Sequence, residues 1–448
     1  MPRNCSPHST TRFPHHDPSR PPLAARSGAG AGTVDVSLLP PVTGSETVEW
    51  PAALDVDGLR AHGWSPIPFR QFVLKMHGRC NLACDYCYLY RMADQSWRSR
   101  PPLMSAETLR HTARRIAEHA HAHGLSRLHL VLHGGEPLLA GTSRLAAAVT
   151  EVRRAVGPGA AVAASVQTNG SCLDRAALDT FARLGIRVGV SLDGGRAATD
   201  RHRRYASGRS SHPDVARALR LLGRPPYRDL FAGLLCTIDV ANDPVGTYEA
   251  LLEFAPPAVD FLLPHGNWTA PPPDRPADPA VTPYADWLIA VFDRWYAAPR
   301  RETGVRLFDE ILNLLLGGTS RVESVGLSPV SLIVVETDGT IEQVDSLRSA
   351  YPGASGTTLN VVDHSFDTAL DHPSIVARQL GAAALSETCR RCAIRDVCGG
   401  GHYAHRYRAG SGFRNPTVYC PDLFRLIGHV RARVRADLRR LSREAVGA

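Results

Sequence analysis

The sequence predicts an α/β fold: a partial (β/α)6 TIM-like barrel followed by a smaller, cysteine-rich C-terminal domain. Three observations support this. Short apolar runs alternate with helical stretches from residue 72 to residue 266. Each helical stretch is long enough to cross over a sheet, so the strands should be parallel. Seven of the ten cysteines fall into two tight groups, one in this region and one near the C-terminus. A doubly wound open sheet is the alternative architecture.

The strands and helices of the barrel region follow one another in regular order. The strands are predicted at 72–77, 127–135, 161–170, 187–195, 230–240 and 259–266. The helical stretches between them are predicted at 105–124, 142–157, 173–185, 212–223 and 243–255. Six such units in about 200 residues favour a full or partial barrel.

Polar clusters follow the ends of four predicted strands. They are the segment from Cys80 to Cys87, "HGGEP" (133–137), "QTNG" (167–170) and "SLDG" (191–194). Because the carboxyl ends of parallel strands meet at one edge of a sheet, these clusters should converge on a single site.

Beyond the barrel region the elements are fewer. Helices are predicted at 282–300 and 305–318, a hairpin at 332–347 with Asp338-Gly339 at its turn, and a basic amphipathic helix at about 421–443. The predicted divisions are a disordered leader (1–48), the barrel (49–300), a linking helix and hairpin (301–388), and the cysteine-rich domain with its closing helix (389–448).

Composition limits the classes of protein. Forty-four per cent of the 448 residues are hydrophobic, but no run of about 18 apolar residues predicts a membrane span. The N-terminus has no apolar signal region, so we expect a cytoplasmic protein whose cysteines bind metal or act in redox chemistry. The net charge of +8 is almost entirely arginine, with Lys75 as the one lysine. Its spread along the chain argues against a nucleic-acid partner. A zinc-stabilised nucleic-acid module at 389–420 is nevertheless the alternative from another class.

The segment "CNLACDYCYLY" carries cysteines at positions 80, 84 and 87. Three thiolates leave one metal position open, as a catalytic site requires, and a cubane iron–sulfur cluster held this way has one iron free. A zinc knuckle completed by His77 is the alternative.

"CNLACDYC" resembles the C-x3-C-x2-C signature of the radical S-adenosylmethionine (SAM) enzymes, and "HGGEP" follows one βα unit later, as in that family. The resemblance implies a [4Fe–4S] cluster on Cys80, Cys84 and Cys87, with SAM at the fourth position. Reductive cleavage of SAM then yields a 5′-deoxyadenosyl radical that abstracts hydrogen.

The same resemblance implies a set of cofactor contacts. Gly134, Gly135 and Glu136 would meet the methionine end of SAM, and Ser191 and Asp193 the ribose or nearby polar groups. Tyr86 would touch the adenine. Gln167 and Asn169 would line the mouth of the barrel.

The second group, Cys389, Cys392, Cys398 and Cys420, is a closed set of four thiols that suits a fully ligated cluster or structural zinc. It resembles the SPASM extension of radical peptide-modifying enzymes. That pattern has further cysteines where this chain has His402 and Val344. The resemblance therefore implies one auxiliary [4Fe–4S] cluster instead of two, with zinc as the alternative and a structural role for His402.

Asp345 follows the position of the missing upstream cysteine. In the related sulfatase-maturing enzymes an aspartate there acts as a base, so the resemblance makes Asp345 the candidate catalytic residue. Glu336 and Glu342 are alternatives on the same hairpin, and a solvated turn carboxylate is the structural interpretation. Cys5, Cys172 and Cys236 are isolated in the sequence. We give them no role, because lone cysteines usually pack as small core residues.

Within the SPASM group the resemblance, from about residue 50 to about residue 426, is strongest to the FxsB-type branch. It is carried by "PFRQFVLKMHGRCNLACDYCYLY", "ADQSWR", "ETDGTIEQVDSL" and "CGGGHYAHRY". It implies a ribosomal precursor peptide as substrate, a cyclophane cross-link as product, and flavodoxin or ferredoxin as electron donor. Thioether-forming, dehydrogenating and protein-aldehyde maturases share these motifs and stay open as alternatives. No separate leader-binding domain is predicted, so the peptide should dock on the barrel rim or a sheet edge.

Overall fold

The computed structural model describes residues 49–446, and a single ten-stranded sheet organises them. The strands are β1 (Gln71–His77), β2 (Arg127–Gly134), β3 (Ala161–Thr168), β4 (Ile186–Ser191), β5 (Phe231–Thr237), β6 (Ala258–Leu262), β7 (Gly304–Val305), β8 (Leu332–Val335), β9 (Thr340–Glu342) and β10 (Gly356–Asn360).

Helices alternate with the first six strands and then follow them. They are α1 (Val56–Ala61), α2 (Ala106–Ala122), α3 (Thr142–Val156), α4 (Arg175–Leu184), α5 (Arg196–His202), α6 (His212–Leu222), α7 (Pro244–Leu252), α8 (Pro283–Tyr296), α9 (Arg306–Leu315), α10 (Phe366–Leu370), α11 (Pro373–Ala377), α12 (Glu387–Arg390), α13 (Arg395–Cys398) and α14 (Cys420–Val446).

The strand order is β10-β9-β8-β1-β2-β3-β4-β5-β6-β7. All pairs from β8 through β1 to β7 are parallel, whereas β8–β9 and β9–β10 are antiparallel. The α/β prediction with six parallel barrel strands is confirmed, and the strand order does not close into a complete barrel. All four polar clusters therefore lie along the same edge of the sheet.

Local sequence explains the regular elements. Leu128, Leu130 and Leu132 of β2 are at most 1% exposed, and they point to one face because strand residues alternate. Helix α4 begins where the Asp174 side chain accepts a hydrogen bond from the Ala177 N–H (2.8 Å). It ends at Gly185, whose φ of 60° suits a left-handed C-cap.

Two features of the sheet were not predicted. The hairpin of β8 and β9 forms as expected, but β8 also pairs in parallel with β1, with Gln71 opposite Leu332 and Leu74 opposite Val335. In addition, the short strands β7 and β10 extend the two ends of the sheet. The region predicted as a link (301–388) thus contributes four strands to the main sheet.

The predicted disordered leader (1–48) lies outside the described residues. Within residues 49–446, no helix has the length and apolar character needed to cross a membrane.

Candidate functional site

A cavity opens at the carboxyl ends of the parallel strands. It is lined on one side by the three-cysteine loop and on the other by residues that follow β2 to β6. The predicted residues among its lining are Cys80, Cys84, Tyr86, Cys87, Gly134, Gly135, Gln167, Asn169 and Ser191. The four polar clusters are therefore brought together, while the roles assigned to these residues stay predictions.

The thiol arrangement suits a cluster with an open position. No fourth cysteine of the described chain lines this cavity. His77, the proposed fourth zinc ligand, is not among the lining residues, and its Nδ1 accepts a hydrogen bond from the Arg79 N–H (3.2 Å). Burial raises the pKa of the Cys80 thiol to about 12, so binding of a metal must displace its proton. These residues fit a three-thiolate iron–sulfur cluster better than the zinc knuckle.

The two glycines of "HGGEP" permit a close approach of β2 to the cysteine loop. Gly134 has a φ of +146°, and a Cβ there would lie 2.2 Å from the His77 carbonyl oxygen. A Cβ on Gly135 would lie 1.9 Å from the Tyr90 hydroxyl. A side chain at Gly134 would displace the end of β1, and one at Gly135 would displace the cysteine loop.

Glu136 is held by hydrogen bonds at the ends of β2 and β3. Its buried carboxylate accepts hydrogen bonds from the Leu138 N–H (2.9 Å), the Thr168 hydroxyl (2.7 Å) and the Asn169 N–H (2.7 Å), and the residue does not line the cavity. Glu136 thus positions Asn169, and the contact of Glu136 or its backbone with the methionine end of SAM stays a prediction.

Glu136→Gln is expected to destabilise the fold. The amide can replace one carboxylate oxygen as an acceptor, but its NH2 group would face the Asn169 N–H and leave buried donors unpaired. We expect a loss of about 1–3 kcal/mol in the free energy of unfolding, measured by denaturant titration. The exposed Glu118→Gln, on α2, is the control and should change stability far less; equal effects would contradict the assigned role.

Tyr86 is held between two charged side chains. Its hydroxyl donates to the Asp193 carboxylate and accepts from Arg203 Nη1 (2.8 Å). Asp193 also accepts from the Thr237 N–H (3.0 Å), is buried, and does not itself line the cavity. Asp193 thus holds Tyr86 in place, and its contact with the ribose or nearby polar groups stays a prediction. Ser191 lines the cavity and accepts from Gln167 Nε2 (3.1 Å).

Asp345 lies behind the cavity wall and not in it. It is 6% exposed, and its Oδ2 accepts a hydrogen bond from Lys75 Nζ. His133, which lines the cavity, has its Nδ1 3.8 Å from the same oxygen and 3.2 Å from Lys75 Nζ. Asp345 Oδ1 is buried without a hydrogen-bond partner among the described residues.

The charges around Asp345 keep it ionised. Burial raises the pKa of its carboxyl, but the positive charges of Lys75 and Arg348 outweigh that effect, and the pKa is lowered. Burial and Lys75 lower the pKa of His133 to about 4, so its imidazole is neutral. The solvated-turn interpretation of Asp345 is wrong, because the residue is buried in an ion pair.

The alternative carboxylates have other partners. Arg348 donates to Glu336 (2.8 Å) and Glu342 (2.6 Å), and Arg100 also lies against both. The three carboxylates Glu336, Glu342 and Asp345 thus lie beside three cations, Lys75, Arg100 and Arg348. This group is an ion-pair network and not a cation site.

The second cysteine group also forms one site. Cys389, Cys392, Cys398 and Cys420, from α12, the following turn, α13 and the start of α14, line a single cavity. Burial raises the pKa of Cys398 to about 12 and that of Cys420 to about 11. Four soft thiols in a mostly apolar pocket suit a closed metal site, either an iron–sulfur cluster or zinc.

The other sequence predictions near this site have simple outcomes. His402 does not line the second cavity; its Nδ1 accepts from the Ala404 N–H (3.3 Å), and its Nε2 lies 3.8 Å from Glu323. Cys172 is exposed and Cys236 is buried in the core. Cys5 lies outside the described residues.

Four residues of the cavity region were missed from the sequence: Lys75, His133, Arg203 and His265. Lys75 carried a usable signal, because a lone lysine within an apolar strand must find a buried partner. Arg203 stands in the run "RHRR" at the C-terminal end of α5, which gave no such signal.

Comparisons with known proteins agree with this geometry. Residues 74–231 match the model of the Radical SAM superfamily. The serine-type anaerobic sulfatase-maturating enzyme of Klebsiella aerogenes is 26% identical over 394 residues, covering 86% of this chain and 90% of the relative. The cysteine-type enzyme of Clostridium perfringens is 24% identical over 335 residues, covering 72% and 85%.

Two solved structures are similar in fold. Native anSMEcpe with bound AdoMet and Cp18Cys peptide superimposes with a TM-score of 0.71 at 21% identity, over 83% of this chain and 99% of that one. SuiB of Streptococcus suis bound to precursor peptide SuiA gives 0.52 at 13% identity, over 81% and 78%. The family implies a [4Fe–4S] cluster and SAM, and the cavity offers three thiols and an open position for them. The chain is therefore an enzyme whose residues 74–231 match the Radical SAM superfamily, and it is similar over most of its length to the anaerobic sulfatase-maturating enzymes.

Proposed function

We propose that this enzyme oxidises a residue of a ribosomally made precursor peptide by abstracting a hydrogen atom from it. One observation carries the proposal: the cavity beside the three cysteines has an apolar stretch of wall against which a peptide residue can pack. The apolar part of this wall is Leu82, Leu89, Leu235, Leu262, Leu263 and Pro264. Leu262 is 37% exposed, so the wall continues to the surface.

The relatives support a peptide or protein substrate. Two are named as sulfatase-maturating enzymes, and the structures of anSMEcpe and SuiB hold the Cp18Cys peptide and the precursor peptide SuiA. We extend a peptide substrate to this chain on that likeness and on the apolar part of the cavity wall.

The residues that line the cavity would have separate roles in this reaction. Cys80, Cys84 and Cys87 would hold the [4Fe–4S] cluster, which together with SAM supplies a 5′-deoxyadenosyl radical. The hydrogen-bonded pair Gln167–Ser191 and the hydrogen-bonded Tyr86 give the polar part of the cavity wall a fixed shape. His265 in the wall stays neutral because burial lowers its pKa to about 3, so this ring adds no charge to the apolar part of the wall.

Asp345 is the proposed proton acceptor. Its carboxylate is ionised, and Oδ1 has no other hydrogen-bond partner among the described residues. His133, in the wall and 3.8 Å from Asp345, is a group through which a proton can pass from the cavity.

The product we propose is a cyclophane, in which an aromatic ring carbon is joined to the β-carbon of a nearby residue. After hydrogen abstraction the β-carbon radical adds to the ring. Aromaticity would return when the adduct loses one electron and one proton. Cys389, Cys392, Cys398 and Cys420 would hold an auxiliary [4Fe–4S] cluster able to accept the electron, and Asp345 would accept the proton. Flavodoxin or ferredoxin would supply the electron that starts each turnover.

A second candidate is oxidation of a serine or cysteine to an aldehyde, favoured by the two sulfatase-maturating relatives, which align with 86% and 72% of the chain. Thioether formation and desaturation are variants of the first candidate with a different final bond.

Co-expression with the short open reading frame beside the gene, without oxygen, tests the proposal. We expect the mass of the peptide to fall by two hydrogens. Fragmentation should stop between an aromatic residue and its cross-linked neighbour, and the peptide should not react with hydroxylamine, which labels aldehydes. A product that reacts with hydroxylamine would favour the second candidate. An unchanged peptide mass while SAM is cleaved would contradict both.

Replacing Cys392 by alanine tests the auxiliary cluster separately. We expect iron to fall from about eight to about four atoms per chain, the content of one cubane. SAM cleavage should continue, because the first loop is intact, while peptide oxidation stops. Arg391→Ala, at an exposed neighbour, is the control and should keep its iron. Zinc in the wild-type protein, with no second cluster, would contradict this assignment.

A further inference from the structure

Four packed rings connect the cavity wall with the second cysteine group. Tyr88 and His265, both in the cavity wall, have ring centroids 4.8 Å apart. His265 lies 5.3 Å from His405, and His405 lies 5.1 Å from Tyr419. Each contact is edge to face, the geometry preferred by packed aromatic rings.

Hydrogen bonds and covalent bonds strengthen this connection. His405 Nε2 lies 3.2 Å from His265 Nδ1. The Tyr419 hydroxyl donates to the carbonyl oxygen of Pro264 (2.7 Å), a residue of the cavity wall. Tyr419 is also the covalent neighbour of Cys420, which lines the second cavity. His405 and Tyr419 are 3% and 1% exposed, so no solvent separates the two sites along this line.

The location of this chain of rings matters for the proposed reaction. The SPASM-like pattern lacks two cysteines here, and His402, at one of those positions, packs 4.9 Å from His405. The four remaining cysteines form one site, so an electron leaving the peptide must cross the protein between the two cavities. Bonded atoms, hydrogen bonds and rings in contact carry electron tunnelling better than gaps do.

We propose that Tyr88, His265, His405 and Tyr419 form the electron path from the peptide radical to the auxiliary site, a proposal that rests on the proposed function. Hydrogen abstraction leaves one unpaired electron on peptide carbon. Forming the new bond and restoring a closed shell releases one electron and one proton. The electron passes along the rings and reduces the auxiliary iron–sulfur cluster by one electron, and the proton goes to Asp345.

Tyr284 provides a matched control. Its ring packs 5.0 Å from that of Tyr419, but its hydroxyl donates to Pro273 (2.8 Å), and neither Tyr284 nor Pro273 lines either cavity. Tyr284→Leu thus disturbs the packing around Tyr419 without interrupting the proposed path.

The test compares Tyr419→Leu, Tyr419→Phe and Tyr284→Leu with the wild type during one turnover. Rapid-freeze EPR follows the decay of the peptide radical and the appearance of the reduced auxiliary cluster. Iron content, the EPR spectrum after dithionite reduction and the midpoint potential of that cluster show whether the cluster site itself is intact.

We expect Tyr419→Leu to prolong the peptide radical and slow cluster reduction by about tenfold or more, equivalent to ~1.4 kcal/mol of barrier. Tyr419→Phe, which keeps the ring and loses the bond to Pro264, should have a smaller effect, and Tyr284→Leu should match the wild type. The rate of 5′-deoxyadenosine formation and the potential should not change.

Two results would overturn the path. The first is an unchanged rate of cluster reduction in both Tyr419 variants. The second is equal slowing in Tyr284→Leu, which would mean a general packing effect. If instead the wild type holds no auxiliary cluster or forms no peptide radical, the proposed function fails together with the path, and that outcome is visible before any variant is made.

Discussion

The Cys84→Ala variant is expected to lose the first iron–sulfur cluster and all reductive cleavage of SAM. The three cysteines of the loop line one cavity, and no other cysteine of the described chain lines it. Two thiolates cannot hold a cubane cluster and also leave an iron free for SAM. Cleavage, measured as 5′-deoxyadenosine released under reducing conditions, should fall to the background of a protein-free sample.

Cys172→Ala is the matched control for this variant. Cys172 is a solvent-exposed thiol whose Sγ lies 3.5 Å from Asn81 Nδ2, beside the loop but not in the cavity lining. Its replacement should leave iron content and cleavage at wild-type levels. Substantial cleavage by Cys84→Ala would show that these thiols do not hold the cluster.

The Asp345→Asn variant should separate SAM cleavage from peptide oxidation. Asparagine keeps the size of the side chain and a hydrogen bond to Lys75, but it cannot accept a proton. Because a positioned base typically contributes about 10²–10⁴-fold, we expect peptide product to fall by that factor while 5′-deoxyadenosine still forms. Mass spectrometry of the peptide and chromatography of 5′-deoxyadenosine measure the two quantities.

Lys75→Met tests the electrostatic part of the same account. Loss of the ammonium removes a strong influence that lowers the pKa of Asp345, so that pKa should rise. A depressed carboxyl pKa stabilises the fold at pH above its unfolded value, and this stabilisation is lost as the pH falls through the folded value. The acid limb of the pH profile of peptide oxidation should therefore move to higher pH. The variant should also lose about 3–5 kcal/mol in the free energy of unfolding at neutral pH, because a buried ion pair loses one partner.

Asp338→Asn, on the turn of the same hairpin and 33% exposed, is the control for both changes. This variant should leave the pH dependence of peptide oxidation unchanged. An Asp345→Asn variant with wild-type product formation would exclude Asp345 as the proton acceptor.

Much of the fold follows from local sequence. Strands β1 to β6 were predictable because each is an apolar run bounded by helices with clear caps, such as Asp174 and Gly185 of α4. Once the strands are parallel, topology alone brings the four polar clusters to one edge, so the cavity was predictable without any long-range contact.

What could not be predicted depends on pairing between distant segments. The parallel pairing of β8 with β1 brings Asp345 against Lys75, 270 residues away in sequence. Local propensity carries no information on such a partner. The same holds for Glu136, whose motif indicates a turn but not the three donors that hold its carboxylate. The contacts among Tyr88, His265, His405 and Tyr419 could not be predicted for the same reason. These four rings come from three separate loops and the residue before α14.

The most direct test of the central claim uses a precursor peptide deuterated at the β-carbons of its residues. The anaerobically reconstituted enzyme is given SAM, a reductant and this peptide. The account predicts that deuterium appears in 5′-deoxyadenosine and that each labelled 5′-deoxyadenosine is matched by one oxidised peptide. Formation of unlabelled 5′-deoxyadenosine beside an unchanged peptide would contradict the claim that this cavity oxidises a peptide residue.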